Sequence, residues 1–250
     1  MTPVLAIVRV TARQLTGRTR LLGFGLLSLM PAVLLAAASR SADPAALDLE
    51  LGVLLVVPLF ALVIPITTLI LASSALGEER RDKTLSFLVL RPISRLEIAT
   101  AKTLAAAAVS TGFAAVGALA LSFTWLALGG GLDVFPPIML GATVACVMYS
   151  AVFVLVGNVL ARSTLVGLLY VLFFESVMVE EMPRLASASL WRISMGATLE
   201  TMPAHFPAHA LLAALGEWVP SVGSALIVMA AITVVTVAIC TVLLKRTDAI

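Results

Sequence analysis

The sequence predicts an all-α integral membrane protein with six transmembrane helices in a single domain, residues 1–250. Three observations carry that prediction. The chain is 61% hydrophobic and only 12% charged, with a mean hydropathy of +1.11, whereas a soluble domain is about half apolar and a quarter charged. Its apolar residues fall into six segments, near 21–38, 51–76, 103–128, 136–160, 164–179 and 222–244. Most of these reach the roughly 20 residues that a helix needs to cross a ~30 Å hydrocarbon core. Lys and Arg then collect at one side of the alternation, as membrane topology requires. β-barrel strands are shorter and alternate, and these segments do not.

The elements follow in order. Before the first span, "TPVLAIVRVTARQLTGRTR" offers Thr2 as a helix cap and Pro3 at the first helical position. Arg9, Arg13 and Thr16 share one face, and Val4, Leu5, Val8, Ala12 and Leu15 largely cover another. This is an amphipathic helix lying in the membrane interface, ended by Gly17. The basic region is long and no small-residue cleavage site follows a short apolar core, so the first span is expected to be retained. The second span holds Pro58 and Pro65 and is expected to kink or partly unwind. The third carries Ala106, Ala107, Ser110, Gly112, Ala114, Ala115 and Gly117, small residues that favour close helix packing over a pore lining. The fourth ends at Asn158 and Arg162, with Arg162 as an anchor. The fifth is the shortest. Glu175, inside it or at its edge, is either functional or a marker of the water boundary. Between the fifth and sixth spans, "LASASLWRI" and "HALLAALGEWV" predict short helices in an outer segment punctuated by Pro183, Pro203, Pro207 and Pro220. Cys146 and Cys240 read as core residues without a disulfide framework.

With six spans both termini share a side. That side holds thirteen of the sixteen Lys and Arg residues, leaving only Arg40, Arg184 and Arg192 opposite. Both termini are therefore expected in the cytoplasm of a multi-pass protein of the cell membrane. The net charge of +2 gives no footing for nucleic acid.

The cytoplasmic stretch "EERRDKTLSFLVLRPISRLEIATAK", Glu78 to Lys102, carries ten charges in 25 residues. Glu78 to Leu90 reads as a helix with acids leading and bases following, and Glu79 and Lys83 form an i, i+4 pair. Leu85, Leu88 and Val89 make an apolar face. Pro92 stops the helix, and "SRLE" restarts one with Ser94 and Glu97 as a capping box. The new helix is expected to run through Lys102 into the third span. An apolar face outside the membrane asks for a partner surface.

This stretch resembles the first cytoplasmic loop of type-2 ABC exporter permeases. The matching residues are Glu79, Arg80, Thr84, Leu85, Leu88, Arg91, Pro92, Ser94, Arg95 and Lys102. Phe87 and Val89 stand where simpler members have Leu. The amphipathic leading helix, six spans and long outer segment match the family plan as well. The resemblance implies that 78–97 is a cytoplasmic coupling helix seated in a groove of a separate ATPase subunit. On the residues from Glu79 to Arg95 it places the docking role, and it implies two ATPase copies and a second permease, the same or a related chain. It further implies that the second and fifth spans line a path between two permeases. The chain has no G-x-x-x-x-G-K-[ST] phosphate loop, so ATP and Mg belong to the partner ATPase and this chain needs no cofactor of its own.

Other constellations are weaker. His205 and His209 lie four apart near Met202, Met195 and Met182, a set that suits copper, but Pro207 interrupts the shared face and no Cys or acid completes a site. "EEMPR", Glu180 to Arg184, resembles the EExxxR signature of intramembrane prenyl-protein proteases, but the spacing misses by one residue and Pro183 breaks the face. Neither a metal site nor a catalytic site is assigned. An intramembrane enzyme, or a membrane assembly factor that binds an ATPase (copper-enzyme maturation included), are the alternatives to a transporter, and activity without any ATPase separates the first of them. The substrate is not legible.

The charge asymmetry makes a direct prediction. A cysteine at position 86 reacts with a membrane-impermeant reagent only from the cytoplasmic face, and one at position 188 only from the opposite face. The reverse pattern overturns the topology.

Overall fold

The computed structural model describes residues 3–40, 47–81, 93–160, 162–178, 188–206 and 220–247. All regular structure among them is helical. Five helices are long and apolar enough to cross a membrane: Arg18–Ala38, Gly52–Glu79, Arg95–Ala127, Leu132–Val159 and Val222–Lys245. The fifth apolar segment of the sequence is present as a shorter helix, Ser163–Glu175. The six segments are called spans one to six below.

A leading helix, Pro3–Leu15, precedes span one and packs against the start of span three. Thr11 and Leu15 are buried there, while Arg9 and Arg13 are exposed. Leu5, expected on the apolar face, is exposed together with Val10. Apolar residues of this helix therefore lie both against the bundle and on its exposed side, where Leu5 and Val10 flank Arg9 and Arg13.

Span two does not unwind between its prolines. It widens into a π-helical turn at Leu59–Val63, flanked by Pro58 and Ile64–Pro65. A proline has no N–H to give to the carbonyl four residues back, and its ring crowds that carbonyl. A π-turn absorbs the mismatch without exposing polar backbone to lipid. Leu59, Phe60 and Val63 on this turn are buried.

Span three starts where the sequence places it. Ser94 has extended backbone, its side chain accepts the Glu97 N–H, and the Glu97 carboxylate accepts the Ser94 N–H at 2.9 Å. The resulting helix runs unbroken from Arg95 to Ala127. Ala106, Ala107, Ser110, Ala114 and Gly117 are buried in helix contacts, but Gly112 is exposed. A Cβ at Gly117 would stand 2.9 Å from the Ser28 carbonyl of span one. Phe24 and Phe113 pack edge to face beside that contact, with centroids 5.7 Å apart.

Span four is the hub. It packs against spans two, three and six and against a short helix, Leu190–Glu200, and it is the most buried of the long spans. Lipid tails are as apolar as leucine, so helices associate in a bilayer by close van der Waals approach, which small residues permit. Gly157 is the clearest instance: a Cβ there would lie 2.4 Å from the Ser73 carbonyl oxygen of span two. Cys146 and Cys240 are buried free thiols.

The short helix begins at Leu190, with Ser189 as its cap, and continues past the predicted segment to Glu200. The second predicted helix of this region lies outside the described residues.

Gly157→Val should separate spans two and four, with a loss of about 1–3 kcal/mol or more, read as a lowered melting temperature in detergent. Gly112→Ala fills open space in a helix and should be neutral or stabilising by up to about 1 kcal/mol. Equal effects of the two changes would contradict this account of the packing.

Candidate functional site

At the basic end of the bundle, the stems of the charged stretch are described and its centre is not. Thr84, Leu85, Leu88, Arg91 and Pro92 lie outside the described residues, as do Lys83 and Val89. Glu79 and Arg80 sit in the last turns of the helix Ile64–Arg81. Ser94 is the cap of span three, and Arg95 is its first helical residue.

The two stems are tied to their neighbours by charge. Glu78 and Glu79 are consecutive, so they project about 100° apart around the helix. Glu78 pairs with Arg20 of span one, whose guanidinium also reaches Ser74 at 3.5 Å. Glu79 pairs with Lys102 of span three at 2.5 Å. Lys102 is 2% exposed. It lies eight residues beyond Ser94, hence ~12 Å along the helix from its start. A buried ammonium without a partner would be expensive, so Glu79 is a requirement of where Lys102 sits. The sequence pairs Glu79 with Lys83, which lies outside the described residues; the partner among the described residues, Lys102, comes from another span. Further along, Ser73 and Thr164 hydroxyls approach to 3.4 Å and connect span two with the start of span five.

Arg20 and Lys102 were within reach of sequence reasoning. Lys102 stands between Ala101 and Thr103 in a run of alanines. A lysine that deep in an apolar helix demands an acid, and Glu78–Glu79 is the nearest acidic pair at the same membrane face.

Among the described residues, the arrangement joins span two to spans one and three at the two stems of the segment between 81 and 94.

The far end of the bundle holds the histidine candidates. His205 is exposed, with Nε2 3.6 Å from Asp133 Oδ2. Phe206 next to it packs edge to face on Trp125 at 6.0 Å between centroids. Met195 is buried in the short helix, and Met202 is half-buried. His209 and Met182 lie outside the described residues. Among the described residues, no group of three His, Cys, Asp or Glu side chains is placed to hold a metal ion.

Glu175 is enclosed by protein. It is 3% exposed and accepts hydrogen bonds from the Tyr149 and Tyr170 hydroxyls, the Ser189 hydroxyl and the Leu190 N–H.

Replacing Glu79 by Gln leaves Lys102 buried beside a neutral amide. The loss should approach about 3 kcal/mol, the lower end for a broken buried pair because Glu79 is partly exposed. Replacing both, Glu79→Leu with Lys102→Met, should restore most of the melting temperature. A double variant no better than the single one would mean that the pair is not coupled.

A model of the ABC-2 family transporter proteins matches residues 18–179. No curated protein matches the chain. The matched residues run from the start of span one to just beyond Glu175, and contain both stems of the charged stretch with the Arg20, Glu78, Glu79 and Lys102 pairs. A multi-pass bundle with this match over well over half its length belongs to the ABC-2 family of transporter proteins, as a membrane permease subunit.

Proposed function

We propose that this permease docks a separate ATPase subunit through residues 78–97 and exports a substrate across the cytoplasmic membrane. In this reading six segments cross the bilayer, and the basic end and both termini face the cytoplasm. Two ATPase copies carry ATP and Mg, and a second permease, the same or a related chain, completes the path.

The observation that carries the proposal is the ion pair between Glu79 and Lys102, joined to the capping box at Ser94. A loop that only marks topology needs positive charge. It does not need its two stems to be joined by a buried charge pair, nor the second stem to begin at a two-way cap. In this reading the loop acts as a handle on two spans. The apolar residues Leu85, Leu88 and Val89 give the handle a face for a partner. ATP-driven closure of the ATPase pair would press on this handle and tilt spans two and three.

Leu85→Asp with Leu88→Asp should leave membrane insertion intact and remove the ATPase from the purified complex. The measurement is gentle purification of the tagged chain from its own host, with mass spectrometry of the copurifying proteins. A stoichiometric ATPase that is lost in the variant is the expected result. A homogeneous chain without any ATPase, or retention of the ATPase in the variant, would overturn the docking role.

A further inference from the structure

We propose that the short helix Leu190–Glu200 is a tie between spans five and six, and that Glu175 is the positioning residue which fixes it. The exporter reading is needed only for the consequence in transport; the tie itself is a property of this chain alone.

The N-terminal end of the helix is held by Glu175. Oε1 accepts from Tyr149 of span four, from Tyr170 of span five and from the Leu190 N–H, each at 3.0 Å. Oε2 accepts the Ser189 hydroxyl at 2.5 Å. Ser189 in turn accepts the Arg192 N–H at 3.3 Å, so its proton is directed at the carboxylate. The Glu175 carbonyl accepts the Trp191 indole N–H at 3.2 Å. One residue thus takes five hydrogen bonds, three of them from the cap and first turn of a helix that is remote in sequence. A stack of rings holds the two tyrosines in place: Tyr149 on Phe153, Phe153 against Tyr170, Tyr170 on Phe174.

The other end of the helix is held to span six. The Glu200 carboxylate accepts the Val222 N–H, an open donor in the first turn of that span. Ser221 accepts the Ser224 N–H beside it. Between the two ends the helix lies against span four and against Pro220, just before span six. A Cβ at Gly196 would stand 2.7 Å from Pro220 Cδ. A Cβ at Gly141 of span four would stand 1.8 Å from the Thr198 hydroxyl oxygen and 2.6 Å from the Ser194 carbonyl.

A helix is stiff along its axis. With an acid fixed at each end and no slack between, movement of the far end of span five must carry span six with it. The basic end ties spans two and three; this helix does the corresponding work for spans five and six.

The test uses the full chain in lipid nanodiscs with nitroxide labels at Phe173→Cys and Ile227→Cys. Both positions are exposed, and the two native cysteines are buried. Neither label touches Glu175 or Glu200. The expected result is one narrow distance in the parent, broadened about twofold by Glu175→Ala and also by Glu200→Ala as the population spreads over more than one arrangement. A reference pair at the basic end, Leu22→Cys with Leu104→Cys, should not change. If either acid can be removed without affecting the distance between spans five and six, the tie is overturned. Should Glu175→Ala fail to fold, Glu175→Gln and Ser189→Ala are read instead. Each removes one hydrogen-bonding feature and should broaden the distance less, and an unchanged width in both overturns the proposal. Because no ATPase is present, a negative result here leaves the docking role standing, and absence of a copurifying ATPase leaves the tie standing.

Discussion

Inside hydrocarbon there is no water to complete a hydrogen bond, so every polar group placed there must arrive with its partner. The backbone meets that demand by being helical throughout the described spans. Hydroxyls such as those of Thr103 and Ser122 meet it locally, by donating to the carbonyl four residues back, and ionisable side chains meet it at two places. Lys102, buried eight residues into span three, brings Glu79 with it. Glu175, buried at the far end of span five, brings two tyrosines, a serine and the first amide of the short helix. Most other buried side chains in the bundle are apolar or small. The two polar clusters therefore fix which spans are neighbours at each end, while the glycines decide how close those neighbours come.

The clusters differ in kind, and the difference has mechanical meaning. At the basic end the partners are opposite charges. Coulomb attraction falls slowly with distance and has little angular preference, so Arg20–Glu78 and Glu79–Lys102 hold spans together while tolerating a tilt. At the far end a single carboxylate faces neutral donors whose hydrogen bonds weaken steeply when misaligned. That socket resists rotation. A bundle built this way yields at the end where a partner is proposed to push and stays in register at the other. The same contrast explains why the far end uses a separate helix at all: a rigid element can pass on movement that a loop would absorb.

How much of this was legible in the sequence follows from how far each interaction reaches along the chain. The span positions, the leading helix and the capping box at Ser94 depend on neighbours within four residues, and they stand where hydropathy and capping rules place them. Pro58 and Pro65 announced a disturbance in span two, but not its form, because whether a helix opens or widens is settled by what packs around it. The pairing of Glu79 with Lys83 lies outside the described residues, whereas its pairing with Lys102 joins two spans, which spacing rules within one helix do not reach. Glu175 was left between two meanings because its ligands stand at 149, 170, 189 and 190, on separate elements. Leu5 was placed on one apolar face with Val4, Val8, Ala12 and Leu15, and periodicity alone cannot distinguish residues that meet protein from residues that meet lipid.

Span two connects the two ends. Glu78 and Glu79 at its basic end hold spans one and three. Its π-turn, Leu59–Val63, lies in contact with the short helix. Phe60 on that turn reaches the place where Gly141 of span four admits Thr198: a Cβ on Gly141 would meet Phe60 as well as the short helix, at 3.1 Å from the ring. One continuous helix therefore touches the handle at one end and the tie near the other. Proximity alone is not coupling. The π-turn supplies what proximity lacks, since a widened turn between two prolines is the part of a helix least constrained by its own hydrogen-bond ladder. The basic half of span two is the part packed on span four, with the Ser73 carbonyl against Gly157, so bending at the π-turn would move that half together with span four relative to the far half.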